Sequence, residues 1–140
     1  MTTYLVGTDG ESASDAIGEY LSGEVDEGDH LEIVNVLTTD KIEDRRKGEA
    51  ALEQLAGYFE DSAATVETQQ LARGREPAEE LVRHADETGA DHIVTALRRH
   101  SRTARIIFGS VSHSLLQRVH RPVTLVPLPE YQPPGESQAE

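Results

Sequence analysis

Four short apolar runs and one weakly alternating run punctuate the chain. They are TYLVGT (Thr3–Thr8), LEIVNVL (Leu31–Leu37), TVETQQL (Thr65–Leu71), DHIVT (Asp91–Thr95) and PVTLVPL (Pro122–Leu128). Between them lie four stretches in which apolar side chains return at helical spacing. Runs this short, bounded by Gly, Pro and Asp, read as strands, and the stretches between them as amphipathic helices. The resulting order, βαβαβαβαβ, implies a parallel sheet with right-handed crossovers and helices on both faces. The fold class is therefore α/β: a doubly wound, five-stranded parallel sheet of the Rossmann-like kind. Such a sheet has a point where the strand order reverses, and ligands lodge there beside the carboxyl ends of the strands.

Local signals place the helices. Ser12 opens the first, with Asp15 three residues on as an approximate capping box, and Ala13, Ala16, Ile17, Tyr20 and Leu21 on one face. Thr38, Thr39 or Asp40 caps a second helix that runs to about Phe59; its first half, Lys41 to Glu49, is charged and exposed. Gln69 and Gln70 mark the third strand as an edge. Pro77 begins the third helix and Gly89 stops it. The fourth helix covers Ser110–Val119. Pro122 and Pro127 each remove a ladder donor, which suits an edge strand.

At 140 residues the chain makes one domain, 1–128, with a real core. The remainder, 129–140, is too polar to pack and is expected to be a disordered tail. No cysteine is present, which excludes disulfides, thiolate nucleophiles and Cys-based metal sites. No apolar run approaches a membrane span and no signal-peptide pattern opens the chain, so the expected setting is cytoplasmic, with no membrane partner.

Net charge is −13, and its distribution is informative. Residues 1–97 hold 7 basic against 23 acidic side chains, whereas 98–128 hold 6 basic and no acidic ones. A basic island in an acidic chain marks a place that tolerates an anion, or a solvated loop whose arginines pair with surface carboxylates. The overall charge disfavours nucleic acid. Only two of the thirteen basic residues are lysine, a composition that suits a salt-rich, halophilic cytosol where counterions screen self-repulsion.

The island lies between the fourth strand and Gly109-Ser110, which opens a helix. A helix N-terminus leaves N–H groups unpaired and carries partial positive charge, and glycine admits a ligand close to the backbone. Asp9 ends the first strand. It is either a turn residue or a second wall of the same crevice, if strands one and four flank the switch point. The Ser110 hydroxyl can cap its helix and still meet a phosphate. The six histidines show no H-E-x-x-H spacing and no metal set is read from them; His84, His92, His113 and His120 read as surface or packing residues. No nucleophile with a partnered base is recognisable, so the chain is not expected to be an enzyme.

Three segments, in order and spacing, resemble the universal stress protein family: VGTDG at Val6–Gly10, GREPAEELVRHADETGADHIV at Gly74–Val94, and Gly109-Ser110 followed by a helix and RPVTLVP at Arg121–Pro127. Together they cover residues 3–128. The resemblance implies the adenine nucleotide alpha-hydrolase-like fold with strand order 3-2-1-4-5. Nucleotide-binding members carry G-x-x-G, nine residues, then G-[ST]. Here Ala96 and Arg99 stand at the first two glycine positions, while the spacer His100–Phe108 and Gly109-Ser110 are kept. By resemblance, Asp9 meets the adenosine, Val36 (Asn35-Val36 standing for His-Val) meets the base, and Gly109, Ser110, Val111 and Ser112 hold phosphates. Thr8, Thr95, Ala96 and Arg99 complete the candidate set. Arg99 either fills the phosphate space or reaches a phosphate bidentately.

The resemblance implies ATP or another adenine nucleotide, with Mg2+, in a non-enzymatic stress-response module whose loop 96–108 is ordered by occupancy and sensed by a protein partner. It also implies a homodimer through Pro122–Leu128. The competing reading is a homodimeric interaction or chaperone-like stress protein without nucleotide; a weaker third is a small-anion sensor using the arginines alone.

Overall fold

The computed structural model describes residues 1–97 and 110–128; of Ser110 and Ser112 it describes the backbone. The strands are β1 (Thr3–Gly7), β2 (His30–Val36), β3 (Thr65–Leu71), β4 (His92–Leu97) and β5 (Val123–Pro127). The helices are α1 (Glu11–Ser22), α2 (Ile42–Gly57), α3 (Pro77–Thr88) and α4 (Ser110–Arg118). All four strand pairings are parallel, in the order β3-β2-β1-β4-β5. The sheet is thus the five-stranded 3-2-1-4-5 arrangement that the alternation and the resemblance led us to expect, with β3 and β5 at its edges.

Consecutive residues in the central strands face opposite ways, and this divides the interior. Val6, Ile33 and Val94 join Ile17, Leu21, Leu52 and Leu55 beneath α1 and α2. Leu5, Val34 and Ile93 join Leu81, Ala85 and Leu115 beneath α3 and α4. Each fully buried Leu, Ile or Val contributes about 1.5–3 kcal/mol through the apolar surface it removes from water. Strands buried on both faces are what a sheet covered on both sides requires.

Helix ends differ from expectation where a side-chain cap was read. α1 begins at Glu11 with Gly10 before it and no side-chain cap. The Ser12–Asp15 box does not form, because Asp15 accepts instead from Gln54 Nε2 at 2.7 Å and Tyr58 Oη at 2.9 Å on α2. α2 opens after Lys41, also without a side-chain cap, while Thr39 is hydrogen-bonded to Asp44. α3 begins and ends as read: Pro77 opens it, and Gly89 closes it in the left-handed region at φ 68°, which glycine enters without a Cβ penalty.

β4 runs two residues further than the apolar run suggests. Ala96 pairs with Val126 and Leu97 with Pro127, so Ala96 belongs to the sheet and not to the loop after it. At the far edge, Leu128 N–H donates to the Leu97 carbonyl. Amide direction alternates along a strand, so Val123, Leu125 and position 127 face away from β4, and Pro127 offers no donor there. The expected tail, 129–140, lies outside the described residues.

Candidate functional site

The switch point falls between β1 and β4, which lie side by side with Gly7 in register with Thr95. From there the chain crosses to α1 and α2 on one face and to α3 and α4 on the other. α4 carries the chain from β4 back to β5, so it opens toward the same carboxyl end as Asp9. Asp9 and Ser110 are therefore brought to one end of the sheet.

An open cleft of about 200 Å³ lies at that end, beyond β1 and β2 and against the first half of α2. Asp9, Asn35, Val36, Asp44, Lys47 and Gly48 line it. Two of these, Asp9 and Val36, are the residues singled out in the sequence as walls of a site. Asp9 is exposed at the rim. Asn35 is buried beneath it and stitched in place: its Nδ2 donates to the Thr8 carbonyl at 2.9 Å, and its Oδ1 accepts from Gln70 Nε2 at 3.0 Å. Gln70 Nε2 also lies 3.1 Å from the Arg45 carbonyl on α2. An amide at position 35 thus ties β1, β2, β3 and α2 together under the cleft floor.

Thr8 and Thr95, both in the candidate set, are held by scaffold hydrogen bonds. The Ser14 hydroxyl donates to the Ala51 carbonyl at 2.7 Å, while the Thr8 hydroxyl lies 2.7 Å from Ser14 Oγ and 3.1 Å from the Gly10 carbonyl. Thr8 N–H donates to the Val34 carbonyl. Every polar group of Thr8 is therefore committed to the scaffold, and its work is to fix the backbone from which Asp9 projects. The Thr95 hydroxyl donates to the Gly7 carbonyl at 2.9 Å and pins β4 to β1. Ala96 packs its methyl against the α1/α2 core. Val111 is exposed on α4. Arg99, Gly109 and the basic loop lie outside the described residues.

Reading the sequence overlooked the contribution of α2. Lys47 reaches past Gly10, with Cε 3.6 Å from where a Cβ there would stand, and makes no ion pair among the described residues. Gly48 lets the helix approach β2: a Cβ on it would fall 2.1 Å from Asn35 Oδ1 and 2.5 Å from Gln70 Nε2. A glycine inside a helix ordinarily costs stability, so its presence in mid-helix was the available signal of a close approach. The cleft as a whole offers two carboxylates, an ammonium and an apolar edge, a set able to hold a ligand with both polar and flat apolar parts.

Strand order and a ligand notch beyond the strand ends define an α/β protein of the adenine nucleotide alpha-hydrolase-like kind. The model of the universal stress protein family matches residues 1–127, and the chain belongs to that family. A universal stress protein from Archaeoglobus fulgidus superposes with a TM-score of 0.77 at 25% identity, covering 90% of this chain and 93% of that one. A structure of the Archaeoglobus fulgidus universal stress protein in complex with dAMP superposes with a TM-score of 0.71 at 24% identity, covering 90% of this chain and 98% of that one. The stress response protein NhaX of Bacillus subtilis (strain 168) is 43% identical over 51 residues, a match spanning 36% of this chain and 31% of that relative. No described helix is long and apolar enough to cross a membrane.

Proposed function

We propose that this universal stress protein is a regulatory module that binds an adenine nucleotide, ATP among them, in the Asp9 cleft. The observation that carries this reading is the coincidence of Asp9 and Val36 in one cleft beyond the carboxyl ends of β1 and β2, beside the switch point. At about 200 Å³ the cleft is smaller than the roughly 300–1,000 Å³ of pockets that enclose a whole ligand. It suits the nucleoside, with Asp9 accepting from ribose hydroxyls and Val36 against the base. The phosphates then extend toward the start of α4, where Gly109, Ser110, Val111 and Ser112 would meet them with Mg2+, and Arg99 supplies charge. A relative solved with dAMP supports the ligand class.

Binding without turnover is the reading, in a cytoplasmic setting, with occupancy sensed by a protein partner. A second copy is expected to pair along β5, and the missing donor at Pro127 confines that ladder to Val123 and Leu125. The acid-rich, lysine-poor surface fits a salt-rich cytosol; equal unfolding free energy in dilute and molar KCl would refute that point. For the nucleotide, the test is thermal unfolding with ATP, ADP and AMP, with and without Mg2+. A ligand at a hundred times its Kd adds about 2.7 kcal/mol. No shift with any of them would leave the nucleotide-free, interaction-protein reading in its place.

A further inference from the structure

Beneath α3, at the amino ends of β2 and β3, four side chains from three elements converge. His30 and Glu32 sit two residues apart on β2 and so share a face. Glu67 lies directly across from Glu32 on β3. One ligand atom from each of His30, Glu32 and Glu67 lies within 4.8 Å of the other two. His84 approaches from α3, its Nε2 3.5 Å from Glu32 Oε1.

Two features of this cluster point to a cation, although His84 also faces Glu87, its Nδ1 3.5 Å from Glu87 Oε1. Carboxylates directly opposite on neighbouring strands repel unless a proton or a cation stands between them. Among the described residues, Glu32 has ion pairs only with the two imidazoles. The second feature is His84, 5% exposed, with neither ring nitrogen hydrogen-bonded. A buried polar group left so is costly, and its Nε2 is aimed at Glu32. Meanwhile His30 is already oriented as metal-bound histidines are: Nδ1 lies 2.6 Å from the Thr65 hydroxyl, which leaves Nε2 to face Glu32 at 2.8 Å.

We infer that His30, Glu32, Glu67 and His84 form a binding site for a divalent transition ion of the zinc class. Two imidazole nitrogens and two carboxylate oxygens are a donor set that Zn2+ takes in tetrahedral geometry. With bonds of about 2.0 Å, tetrahedral ligands stand roughly 3.3 Å apart. His84 lies 3.5 Å from Glu32 Oε1 and His30 2.8 Å from Glu32 Oε2, so His30, Glu32 and Glu67 are the gathered ligands and His84 closes on the ion as the Glu32 carboxylate turns one oxygen toward it. A bound ion resolves the carboxylate opposition, occupies the orphaned His84 nitrogen and cross-links the edge strand β3 to β2 and α3. The site lies at the opposite end of the strands from the Asp9 cleft, so the two stand or fall separately.

The full chain, stripped of metal with a chelator, is titrated with Zn2+ by calorimetry and then desalted for metal analysis. The expected result is one ion retained per chain and a raised Tm. Glu67→Gln, at an exposed position, and His30→Gln, at a half-exposed one, lose that ion while their circular dichroism is unchanged; His120→Gln keeps it. Thr65→Val, which frees the His30 ring, weakens binding about 10–100-fold. With Co2+ in place of zinc, the visible spectrum is that of a tetrahedral ion. Failure to retain an ion overturns the inference, and so does an ion that persists in both Glu67→Gln and His30→Gln, since surface histidines would then be holding it.

Discussion

Beneath α1 and α2 the sheet meets an interior of Ile17, Leu21, Leu52, Leu55 and Phe59 whose buried polar groups, Ser14 and Asn35, are neutral and hydrogen-bonded, whereas beneath α3 the apolar layer of Leu81, Ala85 and Leu115 is interrupted by buried Glu32, Glu80 and His84. Glu80 is wholly enclosed and faces Arg73 at 3.5 Å and Arg75 at 3.3 Å, both reaching in from a more exposed rim. On Glu32, burial pushes the carboxyl up, but contacts from His30, Glu67 and His84 outweigh it and hold the group below its ordinary value. One face therefore holds the fold together by area, and the other spends part of its area on charges that need partners.

Substitutions rank the two faces. Leu55→Ala removes a fully buried side chain from the α1/α2 face and is expected to cost about 2–5 kcal/mol in denaturant unfolding. A loss under 1 kcal/mol would mean that face is not the main store of stability. Gly48→Ala should cost about 1–3 kcal/mol, because the added methyl must displace the Asn35 and Gln70 amides. In an unconstrained helix the same change gains up to about 1 kcal/mol, so the sign alone is decisive. It should also reduce the melting shift given by nucleotide, since Asn35 underlies the cleft.

Acid unfolding separates the charged groups. Asp29 accepts from the backbone N–H groups of Asp26 and Thr2, at 2.9 and 2.7 Å, and these hold its carboxyl below the usual 3.8. A depressed carboxylate contributes stability that is full above its unfolded value and lost as pH falls through its folded one. Asp29→Asn should cost about 1 kcal/mol at neutral pH and flatten the acid limb below about pH 3.8. The smallest effect is expected for Glu80→Met, within about 1 kcal/mol of the parent, because the Arg73 and Arg75 it leaves behind are partly exposed and can be solvated, so no buried charge is stranded. A large loss there would show the polar layer to be a main support of the fold.

Strand positions were legible because apolar runs bounded by Gly, Pro and Asp leave little choice, and the edge positions of β3 and β5 showed in their glutamines and prolines. The carboxyl end of β4 was not: Ala96 and Leu97 precede a run of charge, and only their pairing with Val126 and Pro127 keeps them in the sheet. Caps misled for a similar reason, since Asp15 has tertiary partners on α2 that no local pattern reveals. Within the site, Asp9 could be read because it follows a strand end where ligands gather, and Val36 because the family resemblance marks its position. Lys47 and Gly48 could not, being in mid-helix and brought to the cleft by packing alone. His30, Glu32, Glu67 and His84 are scattered over three elements, and a search for ligands spaced along one segment passes over them.

The central claim is that a nucleotide occupies the notch between Asp9 and Val36. A crystal structure grown with saturating ATP and Mg2+ tests it most directly. The account predicts adenosine in that notch, ribose hydroxyls on the Asp9 carboxylate and phosphates running toward the first turn of α4. Nucleotide bound elsewhere, or an empty notch at saturating ATP, would contradict it.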